Sequence, residues 1–293
     1  MSSESMKDGT AIFEQHRSTL IGAAYRILGS RSDAEDVVQE AWIRWADVDH
    51  DTIDEPRAFL LTVTSRLALN RVRQLASRKE SYVGPWLPEP VATDARSDGA
   101  EAAQLADEVS MAMLIVLESL SPLERAAFVL TEVFGMSAPE VGQALDRTPA
   151  AVRQLVHRAR SHVQARQPRQ AVDVTRHREV TEQFLAAAVG GDLETLMELL
   201  APDVVLVTDG GGLKQAALRP IHGAEKVVRF LVGVSSKPEF EQAWFELRTV
   251  NGELTVVALT PEGVDSVFFF TVGDDGRVSA IHSIRNPEKL GAL

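Results

Sequence analysis

A segment in the middle of the chain, residues 136–160 (MSAPEVGQALDRTPAAVRQLVHRAR), limits the possible folds more than any other. Ser137 and Glu140 have capping-box spacing, so each side chain can satisfy a backbone donor at a helix start. Thr148-Pro149 supplies a second start, a hydroxyl cap followed by proline at the first helical position. Val152, Leu155, Val156 and Ala159 form the apolar stripe of that second helix, leaving Arg153, Gln154, His157, Arg158 and Arg160 to face elsewhere. Two short helices with a tight junction, the second one basic, predict a helix-turn-helix that reads DNA. More than a hundred residues follow it, so the chain must also build a further body.

Charge placement supports the reading. The chain as a whole is acidic, with a net charge of −12 over 293 residues, which argues against a nonspecific polycation. Yet residues 147–169 carry six arginines and residues 57–79 carry five arginines and one lysine, with no acid in either stretch. Local basic faces on an acidic protein give phosphate contacts where they are useful and repulsion elsewhere. The chain has no cysteine, which excludes disulfides, thiolate metal sites and a cysteine nucleophile. Its seven histidines lack ligand spacing, so neither a metal nor a cofactor is expected. The first residues, MSSESMKDGT, do not resemble a signal peptide, and no apolar run approaches membrane-spanning length. The expectation is a soluble, cytoplasmic protein with no membrane partner.

The sequence divides into three bodies. Residues 10–78 are helical: a first helix runs from Thr10 to Leu28 and stops at Gly29. Ser32 to Glu35 has capping-box spacing and opens a second helix. Its Val37, Val38, Ala41, Trp42 and Trp45 face a core, while Asp33, Glu35, Asp36 and Glu40 make an acidic surface. After the polar loop 47–55, a third helix from Pro56 carries Phe59, Leu60, Val63 and Leu67 inward and Arg66, Asn70, Arg71 and Arg73 on its later turns. Residues 79–100 read as a linker, with three prolines and a glycine between Gly84 and Pro90. Trp86 and Leu87 have little reason to sit in a solvated linker, so docking on a domain or partner is expected. Residues 101–166 are helical again, with a proline-bearing capping box at Ser121–Glu124 starting a scaffold helix before the helix-turn-helix. Residues 167–174 form a short linker. From 175 to 293 two helices precede strands at Val204–Val207, Phe240–Val250, Glu253–Leu259, Ser266–Val272 and Val278–Ser283, with a helix around Ala224–Val232. Turn signals at Asn251-Gly252 and Asp275-Gly276 predict antiparallel hairpins and an α+β domain with a helix over one sheet face.

The first two bodies resemble a bacterial extracytoplasmic-function σ factor. The resemblance is carried by DAEDVVQEAWIRWA (33–46), EPRAFLLTVTSRLALNRVRQ (55–74) and SPLERAAFVLTEVFGMSAPEVGQALDRTPAAVRQLVHRAR (121–160). It implies a first domain that binds the RNA polymerase core, made of the β and β′ subunits among others, and opens the −10 promoter element. It also implies a second domain that reads the −35 element. On that basis Asp33, Glu35, Asp36, Gln39 and Glu40 are the expected polymerase contacts. Arg66, Asn70, Arg71 and Arg73 are expected at the melting site, and loop 47–55 is where an unstacked base would be captured. Arg153, Gln154 and His157 are expected near base edges, with Arg147, Thr148, Arg158 and Arg160 nearer the phosphates.

The third body resembles the SnoaL-like domains of the nuclear-transport-factor-2-like superfamily, a cone of sheet wrapped by helices. Trp86 to Pro90, with Leu87 and Pro88 inside it, Asp209-Gly210-Gly211-Gly212 with Lys214, and Asn286-Pro287 to Leu290 are similar to the σ factors carrying such a fused domain. In that pattern the lysine directly follows the glycines, whereas here Leu213 intervenes. The implied fold class is therefore multidomain: two all-α σ domains, the second with the helix-turn-helix, and an α+β SnoaL-like cone. The implied function is promoter-specific transcription initiation, regulated by the fused domain through Trp86–Pro88, Asp209–Gly212, Lys214 and Asn286-Pro287. No dedicated anti-σ factor is needed, and the cone is a candidate site for a small ligand. Two other readings compete: a one-component, ligand-sensing helix-turn-helix regulator, and a SnoaL-like cyclase or isomerase using Asp209, His222 or His282. The first leaves residues 10–78 unexplained, and no spacing shows that the three acid–base candidates converge.

Overall fold

A computed structural model describes residues 3–92, 109–166, 173–291 and 293. The stretch 93–100, the expected helix start at 101–108 and the short linker through 172 lie outside the described residues. The chain forms two compact units, one of Met1–Glu80 with Met113–Gln167, the other of Ser81–Ala112 with Pro168–Leu293. No helix among the described residues is long and apolar enough to cross a membrane.

The first unit is all helical. α1 (Ser3–Leu28), α2 (Arg31–Ala46) and α3 (Pro56–Glu80) pack mutually around Leu20, Tyr25, Ile27, Trp45, Leu60 and Leu61. α1 ends where expected, at Gly29, whose φ of +70° lets its N–H close on the Tyr25 carbonyl. The start of α2 differs from the sequence expectation. Ser30, not Ser32, caps it, because the Ser30 hydroxyl accepts from the Asp33 N–H at 3.2 Å and leaves Ser32 inside the first turn. α4 (Met111–Glu118), α5 (Pro122–Phe128, continuing as a π turn over Val129–Val133), α6 (Ala138–Leu145) and α7 (Pro149–Arg166) follow. The reciprocal capping boxes Ser121/Glu124 and Ser137/Glu140 form as expected, and the Thr148 hydroxyl caps α7 through the Ala151 N–H at 3.2 Å.

The helix-turn-helix junction depends on two backbone features. Asp146 adopts the left-handed conformation, φ +56°, which turns the chain sharply out of α6. Gly142 lies so close to that turn that a Cβ would come within 2.5 Å of the Arg147 carbonyl oxygen.

The α-helical part of the second unit consists of α8 (Val174–Gly190), α9 (Leu193–Leu199) and α10 (Ala224–Ser235). The sheet holds β1 (Leu200–Asp209), β2 (Ile221–His222), β3 (Trp244–Val250), β4 (Glu253–Thr260), β5 (Gly263–Val272) and β6 (Val278–Ile284), in the order β2-β1-β6-β5-β4-β3. This is the expected α+β architecture. The hairpin turns fall at Asn251-Gly252 and Asp275-Gly276, so β3 to β6 form the expected antiparallel meander. β1, however, runs parallel to β6, because α10 and four further strands separate them in the chain. The β3 strand also starts later than expected, since Pro238–Phe240 takes a 3₁₀ turn. Val204, Leu206, Phe270 and Ile281 on one sheet face pack with Val180 and Phe184 of α8 and Val227 and Val228 of α10.

Gly142→Ala should destabilise the first unit by about 1–3 kcal/mol, because the clash with backbone outweighs a helix-propensity gain of about 1 kcal/mol. Chemical denaturation checks this, and a neutral or stabilising result would contradict the close-approach argument.

Candidate nucleic-acid interface

The exposed face of α7 is set by its buried one. Val152, Leu155, Val156, Ala159 and Val163 turn inward, so Arg153, Gln154, His157, Arg158 and Arg160 turn out. Ala150, Arg153, Gln154, His157 and Arg158 line a shallow open groove. Among the described residues no hydrogen bond engages the side chains of Arg153, Gln154 or His157, the trio expected near base edges. The expected phosphate contacts are more occupied. Arg158 bonds Glu124 at 2.7 Å and holds that carboxyl below its ordinary range, and Arg160 bonds Glu132 at 2.7 Å. Arg147 donates to the neighbouring Asp146 carbonyl at 2.7 Å, and Thr148 is spent on its cap.

The two sets of residues expected at polymerase and at the −10 element meet each other. Arg71 of α3 bridges Asp33 and Asp36 of α2, both at 2.8 Å. Glu35 pairs with Arg31 and Glu40 with Arg44 within α2, while Gln39 is exposed. Arg73 donates to the Asn70 side-chain oxygen Oδ1 at 3.0 Å. Arg66 reaches furthest, donating to the Ala144 carbonyl at 3.0 Å and the Gln143 carbonyl at 2.5 Å, the unpaired acceptors at the C-terminal end of α6. α3 therefore packs on the first helix of the helix-turn-helix, with Arg57 adding bonds to the Phe134 carbonyl at 3.3 Å. On the other side of this unit, buried Arg125 of α5 bonds Glu118 and the Ile27 carbonyl near the end of α1, each at 2.8 Å. In the loop 47–55, His50 lies against the Trp45 ring with centroids 4.4 Å apart, and its Nε2 meets the Trp45 carbonyl at 3.0 Å.

The second unit brings three separated motifs to one carboxylate. Asp209, at the end of β1, is 0% exposed. It accepts from the Tyr82 hydroxyl, from Leu87 N–H at 2.9 Å, from Gly211 N–H at 3.1 Å and from Lys289 Nζ at 2.7 Å. Lys289 also donates to the Leu87 carbonyl and lies 3.4 Å from the Trp86 ring centroid. Asn286 donates to the Tyr82 oxygen at 2.9 Å and caps the short turn beginning at Pro287. Trp86, Leu87 and Pro88 thus lie in a docked segment of this unit. Gly210–Gly212 crowds that site: a Cβ on Gly211 would meet the Asn286 side chain at 2.5 Å, and one on Gly212 would meet Val83 at 3.1 Å. Lys214, displaced by one position, reaches Asp265 at 3.3 Å, beside a closer Arg285–Asp265 pair at 2.9 Å. Burial pushes the Asp265 carboxyl up, yet Arg285 and Lys214 together hold it below its ordinary value.

Tyr82, Asp265, Arg285 and Lys289 were not foreseen as site residues. Lys289 stands inside the Asn286–Leu290 motif, so that motif was its signal. The other three are paired only through tertiary structure.

Comparison with known proteins resolves the family. Residues 12–78 match Sigma-70 region 2, and residues 110–163 match Sigma-70, region 4. The chain is 41% identical over 291 residues to the ECF RNA polymerase sigma factor SigJ of Mycobacterium tuberculosis, covering 95% of this chain and 92% of that protein. This chain belongs to the extracytoplasmic-function σ factors. This σ factor is also 32% identical to the probable ECF RNA polymerase sigma factor SigI of the same species, covering 97% of this chain and 95% of the relative. The crystal structure of the Mycobacterium tuberculosis σ factor SigJ superposes with a TM-score of 0.78 at 38% identity, covering 97% of this chain and 98% of that one.

Two predictions follow from this σ factor's buried charges. Lys289→Met strands the Asp209 carboxylate and should cost about 3–5 kcal/mol, whereas Asp209→Asn with Lys289→Met should recover part of that loss in urea unfolding. Equal losses would place no coupling between them. The pH response has two opposing parts. Burial lowers His282 to about 4, so the unfolded chain binds the extra proton and stability falls as pH drops from 6.5 toward 4. Burial raises Glu253 to about 7, so the folded chain holds the proton and stability falls as pH rises from 4.5 through 7. Glu253→Gln should therefore unmask a steeper gain in stability between pH 4.5 and 6.5, measurable by denaturant midpoints; an unchanged slope would refute the assignment.

Proposed function

We propose that this chain is a cytoplasmic transcription initiation factor that binds RNA polymerase core and directs it to promoters, under control of its own third domain. The observation that carries the reading is family membership over nearly the full length, joined to an exposed trio, Arg153, Gln154 and His157, on the second helix of the helix-turn-helix. These residues read base edges of the −35 element, while Arg158, Arg160 and Arg147 position the helix on phosphates after exchanging their internal partners.

The packing of α3 on α6 describes a closed form. Arg66 is committed to the α6 carbonyls, and Arg71 to Asp33 and Asp36, so the −10 and polymerase-facing groups neutralise each other. Polymerase binding exchanges these contacts for its own and separates the two promoter-reading halves. Tyr82, Trp86, Leu87, Asp209, Asn286 and Lys289 form the lock through which the third domain holds the connector that leaves α3. A dedicated anti-σ partner is then unnecessary, because the restraint is in the same chain.

The one-component regulator reading leaves the Sigma-70 region 2 match at residues 12–78 without a role. The enzyme reading meets a geometric obstacle. His222 pairs in register with Val205, His282 with Val207, and Asp209 follows on the same strand, so all three occupy the sheet face opposite Val204 and Leu206. They therefore face away from the helix-covered core, and Asp209 is bound to Lys289.

Transcription in vitro tests the proposal. Full-length chain with core polymerase should open and transcribe a cognate promoter, and either component alone should not. Arg153→Ala should lose about 1–3 kcal/mol of discrimination at one −35 base pair, while Arg160→Ala weakens binding across sequences. Lys289→Met should change promoter output without abolishing core binding. It is a cleaner probe than removing residues after 170, which would strip the docked segment 81–92 of its support. Promoter activity without core polymerase would overturn the reading.

A further inference from the structure

Asn251, at the tip of the β3–β4 hairpin, is buried. Asn251 and Gly252 have φ of +51° and +67°, the backbone of a tight hairpin turn that ordinarily projects into water. Asn251 is instead 1% exposed, and its N–H and both side-chain amide groups meet the connector between the two promoter-reading halves. On one side its N–H donates to the Val91 carbonyl at 2.9 Å, its side-chain oxygen accepts from the Val91 N–H at 3.0 Å, and Ala92 forms an antiparallel bridge with Val250. On the other side its amide nitrogen donates to the Val109 carbonyl at 3.3 Å. Two residues on, the Glu253 carboxylate accepts from the Ser110 hydroxyl and from the backbone N–H groups of Met111 and Ala112. Those are the first amides of α4, which carry no intrahelical partner, so Glu253 serves as the cap of the helix that opens region 4. Val91, Val109 and Met111 are themselves buried.

One turn therefore holds both ends of residues 93–108. The region 2 match ends at 78 and the region 4 match begins at 110, so every path from one promoter-reading half to the other passes this turn. We propose that Asn251 and Glu253 form a releasable clasp that fixes the reach between the two halves and so selects promoters by the spacing of their −10 and −35 elements. Released, the sixteen residues from 93 to 108 would add up to about 50 Å of extended reach. The proposal rests on the reading of the third domain as a regulator and identifies Asn251 and Glu253 as positioning residues for that regulation.

Asn251→Gly removes the side chain while keeping the positive φ, and Glu253→Gln keeps the volume while removing the carboxylate. Both are made in the full-length chain, singly and together. Hydrogen exchange gives the structural readout. Peptides spanning 109–116 should exchange about tenfold faster or more in the double variant, since the hydrogen bonds from both side chains are lost, while β5 and β6 keep their protection. Transcription with core polymerase gives the functional readout, on promoters whose spacer changes in single base-pair steps. Wild type should show a narrow optimum and the double variant a broad one. Faster exchange with an unchanged spacer profile would overturn the proposal, as would an unprotected 109–116 segment in wild type. Lys289→Met, tested in parallel, separates the two levels. If it alters transcription while the clasp variants leave the spacer profile unchanged, the clasp fails and the regulatory domain stands; if neither acts, both fail.

Discussion

A buried carboxylate organises the second unit. Removing Asp209 from water costs several kcal/mol unless charge and hydrogen bonds replace its hydration, and the chain supplies both. Lys289 brings the countercharge, while Tyr82, Leu87 N–H and Gly211 N–H fill the remaining acceptor positions. The four donors come from three separate stretches of sequence, so satisfying this one group gathers the segment after α3, the glycine loop after β1 and the turn after β6. The glycines at 211 and 212 are then required by crowding, since side chains there would displace Asn286 and Val83. A charge that would be a liability alone becomes the point at which the connector is attached.

The first unit uses charge differently. Apart from the buried Arg125–Glu118 pair, its pairs lie near the surface, where an ion pair contributes little to stability, and the geometry is specific without being strong. Arg71 with Asp33 and Asp36, and Arg66 on the α6 carbonyls, are contacts that a polymerase surface or a phosphate can replace at small net cost. That suits a protein whose functional groups must be sheltered from one another at rest and available on assembly. Strong buried pairing holds the segment after α3, and weak exposed pairing joins α3 to α2.

Much of this was legible in the sequence because local rules determine it. The Ser121/Glu124 and Ser137/Glu140 boxes, the Thr148-Pro149 start, the Gly29 stop and the Asn251-Gly252 turn all follow from residues within one turn of each other, and the structure forms them. The α2 cap was misplaced by two residues because Ser30 and Ser32 offer the same hydroxyl and only backbone geometry chooses between them. The parallel β1–β6 pairing depends on a connection across the whole domain, which strand patterning does not encode. Site residues divide the same way. The α7 face was readable from helical periodicity, whereas the mutual pairing of Arg71 with the α2 acids and the Arg66 contact with α6 join residues 35 to 78 positions apart. Glu253, a hairpin residue that caps a distant helix, carried no local signal.

On the proposed mechanism the two promoter-reading halves rest against each other and part when polymerase binds. The absence of cysteine makes it directly measurable, because Gln74→Cys on α3 and Gln164→Cys on α7 give a uniquely labelled chain with both labels on exposed positions. Electron–electron distance measurement on the spin-labelled protein should give one narrow, short distribution for the free chain and a longer one with core polymerase. The same short distribution in both states, or a broad one in the free chain, would contradict the account.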